Sequence, residues 1–334
     1  MTSSARRTLV VAVSLFTLGS ASLGAQATPL ASWNDGPTKR AILAFVRATT
    51  DRSSPQYVAA DDRIAAFDND GTLWVEHPLY TQAVFALDRV GALAAQHPEW
   101  KTSEPFKSVL ARDEAAIAKF DEADWEKIVA ATHSGMTVEQ FNDIAADWLA
   151  RATDQRWKRH YTELVYQPML ELLAYLRENG YKTYIVTGGG QDFVRSFATR
   201  VYGVPPEQVV GTAGKTTFTY GPEGKSQLVK APELLYVDDK TGKPEGIHLV
   251  IGHRPRAAFG NSGGDKEMLQ WTQAGNGARL MLLVHHDDAR REYDYTPDTK
   301  VGTFSNELMD VATKNGWLVV SMKNDWRRVF PFDP

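Results

Sequence analysis

The sequence predicts an α/β fold built on a parallel sheet, with a helical segment set into it. From Met169 onward, apolar strand-like segments alternate with helix-like runs. That alternation argues for parallel strands covered by helices on both faces. The apolar segment Ile64–Phe67 stops abruptly at Asp68-Asn69-Asp70-Gly71-Thr72-Leu73, as a core strand does when it leaves the sheet. Between these regions, over about residues 79–165, helical periodicity runs with almost no strand signal.

The elements follow in order. Arg6 and Arg7 precede the apolar run Leu9–Leu18, and small residues lead to Ala25-Gln26-Ala27. A basic region, a short apolar region and an A-x-A site are the build of a secretory signal peptide over residues 1–27, with cleavage after Ala27. The apolar run falls short of the roughly 20 residues that span a bilayer. The arginine pair hints at twin-arginine export. The expected compartment is therefore periplasmic or extracellular, with no stable membrane association.

Residues 28–60 form a lead-in with one helix-like run, Pro37–Thr49, and residues 63–68 are the first core strand. Helix-like runs then cover Leu79–Ala95, Phe106–Lys119, Glu122–Ala131 and Val138–Arg151, the last opened by the capping box Thr137-Val138-Glu139-Gln140. Helix 168–179, strand 181–187 and helix 191–202 come next, followed by strands 247–251, 256–260 and 278–284. Asp68, Thr187 and Asn261 all fall at carboxyl ends of these strands, where parallel sheets bind ligands.

The chain of 334 residues contains no cysteine. An exported protein of this kind uses no disulfides and relies on its core, for which about 300 residues are ample. The formal charge is −4, and loss of Arg6 and Arg7 leaves 35 basic against 41 acidic residues, a net −6. No basic tail or stripe suggests a nucleic-acid partner.

Side chains alternate along an extended chain, so Asp68 and Asp70 point the same way. Two crowded carboxylates need a positive partner, and a hard cation such as Mg²⁺ takes oxygen ligands. With a cation present, one carboxylate can attack phosphorus and the other can move protons. An Asx-type turn after a strand is the plainer reading of D-N-D-G.

Three further segments stand in order: Ile185-Val186-Thr187-Gly188-Gly189-Gly190, Gly242-Lys243-Pro244-Glu245-Gly246, and Phe259-Gly260-Asn261-Ser262-Gly263-Gly264-Asp265. With Asp68–Leu73 as a complete DxDGT[LV] motif, the set resembles the haloacid dehalogenase superfamily in its phosphatase branch, over about residues 63–285. The resemblance implies a Rossmann-like catalytic core, residues 28–78 and 166–334, with a type-1 helical cap inserted at 79–165. It implies an Mg²⁺-dependent phosphomonoesterase. In it Asp68 is the nucleophile that forms an aspartyl-phosphate, and Asp70 is the general acid–base, absent from the dehalogenases. Thr187 would offer its hydroxyl to a phosphate oxygen, and Gly188 and Gly189 their N–H groups. Lys243 would neutralise the phosphoryl charge, with Lys230 as its competitor. The metal would be held by Asp68, the carbonyl of Asp70, and Asn261 or Asp265; many relatives carry Asp where Asn261 stands.

The second motif and the cap are similar to those of phosphoserine phosphatases, whose substrate-reading Glu lies shortly after the first motif. Here Glu76 is one residue too close and His77 stands at the matching distance. Trp74, Glu76, His77 and Tyr80 are placed near the cap hinge, where Glu76 and His77 are expected to line the substrate pocket and Trp74 and Tyr80 are read as packing core against cap; aromatics there also suit a quaternary ammonium group. His285-His286-Asp287-Asp288 is read as a solvated loop rather than a metal cluster. The expected partner is a small-molecule phosphomonoester. Phosphotransfer to an acceptor alcohol, or binding of phosphate esters without turnover, are the alternatives.

Overall fold

The computed structural model describes residues 29–334. The expected leader, 1–27, and its cleavage point lie outside them. Seven strands are present: β1 (Ile64–Phe67), β2 (Lys182–Gly190), β3 (Val209–Tyr220), β4 (Ser226–Tyr236), β5 (Ala257–Gly260), β6 (Leu280–His285) and β7 (Leu318–Ser321). They form one sheet in the order β4-β3-β2-β1-β5-β6-β7. Every neighbouring pair is parallel except β3–β4, an antiparallel hairpin at one edge.

Helix α1 (Pro37–Thr50) precedes β1. Between β1 and β2 come α2 (Thr81–Leu93), α3 (Phe106–Ala111), α4 (Glu114–Ile117), α5 (Glu122–His133), α6 (Val138–Leu149) and α7 (Gln167–Glu178). After β2 come α8 (Gln191–Tyr202), α9 (Gly242–Gly246), α10 (Lys266–Gln273), α11 (Asn306–Asn315) and α12 (Met322–Asp325). The capping box at Thr137 is formed, with Thr137 Oγ1 accepting from Gln140 N and Gln140 Oε1 from Thr137 N. The run 106–119 divides because Arg112 is left-handed (φ 53°) and Asp113 caps a new helix by accepting from Ala116 N.

Alternation along the buried strands sorts the core into two faces. Ala65, Phe67, Ile185 and Phe259 join a large cluster with α1, α7 and α8, while Ala66, Val186 and Ala258 face α10 and α11. All four residues of β1 are buried, as a central parallel strand requires. The helices between β1 and β2 have a small cluster of their own, Ala86, Val90, Trp100, Val109 and Ile128. Phe85, Phe141 and Leu149 instead join the cluster under the sheet. No helix among the described residues is long and apolar enough to cross a membrane.

One expectation is corrected. Residues 247–251 are a π-helical turn continuing α9, not a strand. Both neighbours of β1 are already filled by β2 and β5, and only Ile247 of that run is buried; Leu249 is 74% exposed. The sequence pattern gives no sign of the hairpin β3–β4 or of the closing pair α11–β7. The hairpin's arms are largely exposed over much of their length, so they lack the alternation that marks a half-buried strand.

The fold makes one test immediate. Phe67 and Phe259 are fully buried on adjacent strands, with ring centroids 4.2 Å apart. Phe259→Ala should lower the unfolding free energy by about 3–5 kcal/mol, read from urea denaturation. A loss below about 1 kcal/mol would mean that this stack does not anchor the sheet.

Candidate active site

Asp68 extends the β1–β5 ladder by one residue, its N–H donating to the Phe259 carbonyl at 2.9 Å. The chain then turns at Gly71 (φ 74°), whose N–H donates to the Trp74 carbonyl at 2.8 Å. A Cβ on Gly71 would overlap both Asn261 Nδ2 and Glu76 Oε1, so glycine is needed there for space as well as for backbone angle. The turn aims Asp70 back at Trp74, whose Nε1 donates to Asp70 Oδ1 at 2.8 Å.

Lys243 reaches this end of the sheet from α9. Its Nζ donates to Asp68 Oδ1 and to Asp265 Oδ1, each at 2.6 Å. The helix can approach because Gly242 and Gly246, on one face, lie against the Val237 carbonyl and Asp238 Oδ1, where side chains would collide. Lys230, the competing lysine, pairs instead with Asp192 and lies 4.7 Å from the Phe141 ring centre.

The structure separates Asn261 from Asp265. Asp265 is fully committed: Oδ1 to Lys243, and Oδ2 to the N–H groups of Asn261 at 2.9 Å and Ser262 at 3.0 Å. Asn261 Nδ2 donates to Glu76 Oε1 at 2.7 Å, and its Oδ1 accepts from Thr72 Oγ1 at 3.1 Å. The same hydroxyl lies 3.5 Å from Asp68 Oδ2.

Thr187 is buried near the end of β2, its hydroxyl accepting from Gly189 N at 3.0 Å. A Cβ on Gly189 would stand 3.5 Å from Asp70 Oδ2, so this glycine loop and the Asp70 turn meet. Helix α8 begins directly after Gly190, which places its N-terminus beside the loop. Gly190 N donates to Gln82 Oε1 at 2.7 Å.

Glu76 and His77 differ from their expected placement as substrate readers. Glu76 is 2% exposed, held on Asn261 and closed over by Gly302. His77 bonds the Val301 carbonyl at 2.8 Å and packs 4.2 Å from the Tyr295 ring, tying down the 293–302 loop. Trp74 is buried against Phe197 of α8 at 4.5 Å, so this contact lies within the core rather than between core and cap. Tyr80 is 40% exposed and does not share that contact.

The electrostatics follow from crowding. Burial pushes Asp68 well above the usual carboxylate range and the Asp265 charge adds to it, while Lys243 opposes both. Burial also raises Asp70, against the hydrogen bonds from Trp74 and Asn69. Glu76 is raised well above its usual value by burial and by the charges of Asp70 and Asp68. Burial alone would lower Lys243, but the charges of Asp265 and Asp68 outweigh it and raise it. Although the residue is 40% exposed, partial burial of its phenol pushes Tyr80 up, and the charges of Glu76, Asp70 and Asp68 add to this.

Three groups lay beyond the sequence reading, Gln82 half-buried and the other two fully buried. Gln82 bonds the glycine loop. Asp238 is fully buried beside Lys243 and Thr187, neither oxygen having a partner at normal geometry, and burial pushes it up to about 7. His286 corrects the expectation of a solvated loop: it is fully buried, bonding the Gly71 carbonyl through Nε2 at 2.7 Å and Glu292 through Nδ1 at 2.8 Å. Its partners lie far off in sequence, so only the tandem acids at 238–239 left any local signal.

No three His, Cys, Asp or Glu side chains among the described residues form a metal cluster by themselves. The donor chemistry still fits a hard cation. Asp68 and Asn261 present oxygens to one hydroxyl, and three buried acids, Asp68, Glu76 and Asp265, crowd together with half-buried Asp70, while the Lys243 ammonium pairs only with Asp68 and Asp265. A divalent ion taking oxygen ligands and keeping waters would offset that excess.

A family model of haloacid dehalogenase-like hydrolases matches residues 65–270. The chain belongs to this family. The haloacid dehalogenase-like match opens inside β1 and closes inside α10, so it contains Asp68, Thr187, Lys243 and Asp265. Among solved structures, a conserved protein of unknown function from Anaerococcus prevotii shares the fold, with a TM-score of 0.56 at 16% identity over 85% of this chain and 91% of that one. A protein of unknown function from Bordetella pertussis matches at a TM-score of 0.47, 14% identity, 78% of this chain and 98% of that one. A phosphoserine phosphohydrolase-like protein from Francisella tularensis subsp. tularensis matches at 0.35, 13% identity, 66% of this chain and 87% of that one. No curated protein sequence matches the chain.

Asp238 provides a pH test for this haloacid dehalogenase-like fold. Its folded value of about 7 exceeds the ordinary 3.8. Between those values the folded state holds a proton that the unfolded state has lost, so stability falls as pH rises through this window. Asp238→Asn removes that loss. Its stability advantage over wild type should grow from pH 4 to pH 7 and then level off, at most about 4 kcal/mol. Urea unfolding across that range checks it; a constant difference would refute the assignment.

Proposed function

We propose that the protein is an exported, Mg²⁺-dependent phosphomonoesterase acting on small molecules through an aspartyl-phosphate on Asp68. The observation that carries the reading is the convergence of Asp68, Lys243, the Asp70 turn and the Thr187 glycine loop at the carboxyl end of the sheet. An attacking carboxylate, a fixed cation and a set of N–H donors are what phosphoryl transfer asks of a protein.

In this reading, the glycine loop and Lys243 hold the phosphoryl oxygens. Asp68 attacks phosphorus; its Oδ–P bond forms as the ester P–O bond breaks. Asp70, whose hold on its proton burial strengthens, gives a proton to the departing alkoxide. Water then attacks phosphorus, Asp70 takes back a proton, and the Oδ–P bond breaks to release phosphate and Asp68. Asp68, the Asp70 carbonyl and Asn261 would hold the Mg²⁺, which supplies charge compensation for the carboxylates and the phosphoryl oxygens. Asp265 holds Lys243 and the loop, and Glu76 orients Asn261. The helices of 79–165 act as a cap that restricts entry to small esters, and the leader directs export to the periplasm or medium.

Asp68→Asn keeps the shape and removes the nucleophile. Turnover of a generic phosphate ester should fall by at least about 10³-fold, and beryllium fluoride should no longer be retained. Substantial residual turnover would exclude the covalent route. Chelator should abolish wild-type activity and Mg²⁺ should restore it; full activity in excess chelator would remove the metal from the proposal.

A further inference from the structure

Gln82 stands in the first turn of α2, outside every motif of the family pattern. Its amide joins two parts of the molecule. Oε1 accepts from Gly190 N at 2.7 Å, and Nε2 lies 3.2 Å from His133 Nε2 at the end of α5. A Cβ on Gly190 would lie 2.6 Å from Gln82 Nε2, so the loop's lack of side chains admits this amide.

Thr132 Oγ1 donates to the Ile128 carbonyl at 2.7 Å, which uses its only proton. At 2.8 Å from His133 Nδ1 it must therefore accept, which puts the imidazole proton on Nδ1. His133 is 8% exposed and packed edge-on to Phe85, and burial depresses it to about 3, with the Lys230 and Arg89 charges acting the same way. The neutral ring thus offers a bare Nε2, which only the NH₂ end of Gln82 can satisfy. That fixes which end of the amide meets Gly190. The groups around this ring are Lys230 from β4, itself paired with Asp192 of α8, and Arg89 from α2.

We infer that Gln82 is a positioning residue: held by neutral His133, it fixes the Gly188–Gly190 loop that receives the phosphoryl group and ties the conformation of that loop to the helices of 79–165. The inference rests on the phosphatase reading above for its kinetic consequence, but not for the bond itself. Gly190, the last residue of β2, cannot be re-aimed while Gln82 holds its N–H, and Gln82 cannot rotate while His133 is neutral. Substrate affinity is the quantity this controls, because the loop binds the group common to every substrate.

The test uses the full mature chain with Mg²⁺ and three variants. Gln82→Ala should raise KM for a phosphate ester about tenfold or more with kcat changed far less. His133→Ala should do the same, and the double variant should be no worse than either single one. Gln82→Glu is the sharpest arm. Its carboxylate still accepts from Gly190 but has no donor for neutral His133, so two acceptors face each other until the imidazole takes a proton. Its kcat/KM relative to wild type should therefore climb as pH falls, whereas that of Gln82→Ala should stay flat. Nitrogen-15 spectra of the wild-type imidazoles should show His133 as the Nδ1–H tautomer, with an Nε2 resonance that moves in Gln82→Ala. Additive effects, a Gln82→Glu profile parallel to wild type, or an Nε2–H tautomer would each overturn the inference. A wild type without phosphatase activity would sink the functional reading instead, and the tautomer arm would still decide the bond.

Discussion

Four carboxylates share the carboxyl end of the sheet with one buried ammonium. Asp68, Asp70, Glu76 and Asp265 would repel one another strongly in a region of low dielectric. Lys243 lies between two of them at equal distance, and the rest of the site is organised to keep it there. Asp265 gives one oxygen to Lys243 and the other to the backbone of its own loop, so the cation and the Asn261 turn are fixed by the same side chain. Asn261 then accepts from Thr72 and donates to Glu76, returning the network to the first turn. A buried network of this kind is stable only when its members are satisfied together.

The approach distances behind this network depend on missing side chains. Gly71, Gly242, Gly246 and Gly302 each stand where a Cβ would collide with a member of the site or with its supporting backbone. The Asp70 turn is also held from behind. His286 bonds the Gly71 carbonyl and Glu292, and stacks on Tyr295 at 3.9 Å. Residues after β6 therefore brace a turn formed after β1. Histidine suits this because its two nitrogens can serve partners on opposite sides of one buried ring.

The hairpin β3–β4 gives the helices of 79–165 a second point of attachment besides the core strands. Gly135 N donates to the Lys230 carbonyl and Lys230 N to the Met136 carbonyl, both at 2.9 Å, so the α5–α6 connection pairs along β4. The Lys230 side chain crosses to Asp192 at the start of α8. The segment between α5 and α6 is thereby anchored to the sheet edge, and α5 carries His133 towards the glycine loop.

The sequence by itself determined the alternation of strands and helices, the helical segment between β1 and β2, and the four motif segments in their order. Those features are written in local periodicity and in short runs of adjacent residues, and β1, α6 and α8 stand within a residue or two of where the pattern put them. It did not determine that residues 247–251 are helical, because a short apolar run is compatible with either state. Nor did it show the hairpin, whose stability comes from cross-strand pairing and from its contacts with the α5–α6 connection. Tertiary structure alone decided between Lys243 and Lys230, gave Asp265 to the lysine and Asn261 to Glu76, and brought Gln82, Asp238 and His286 to the site. Those bonds join residues up to 215 positions apart. The spacing of such partners in sequence carries no information about their meeting, which is set by how the strands are ordered in the sheet.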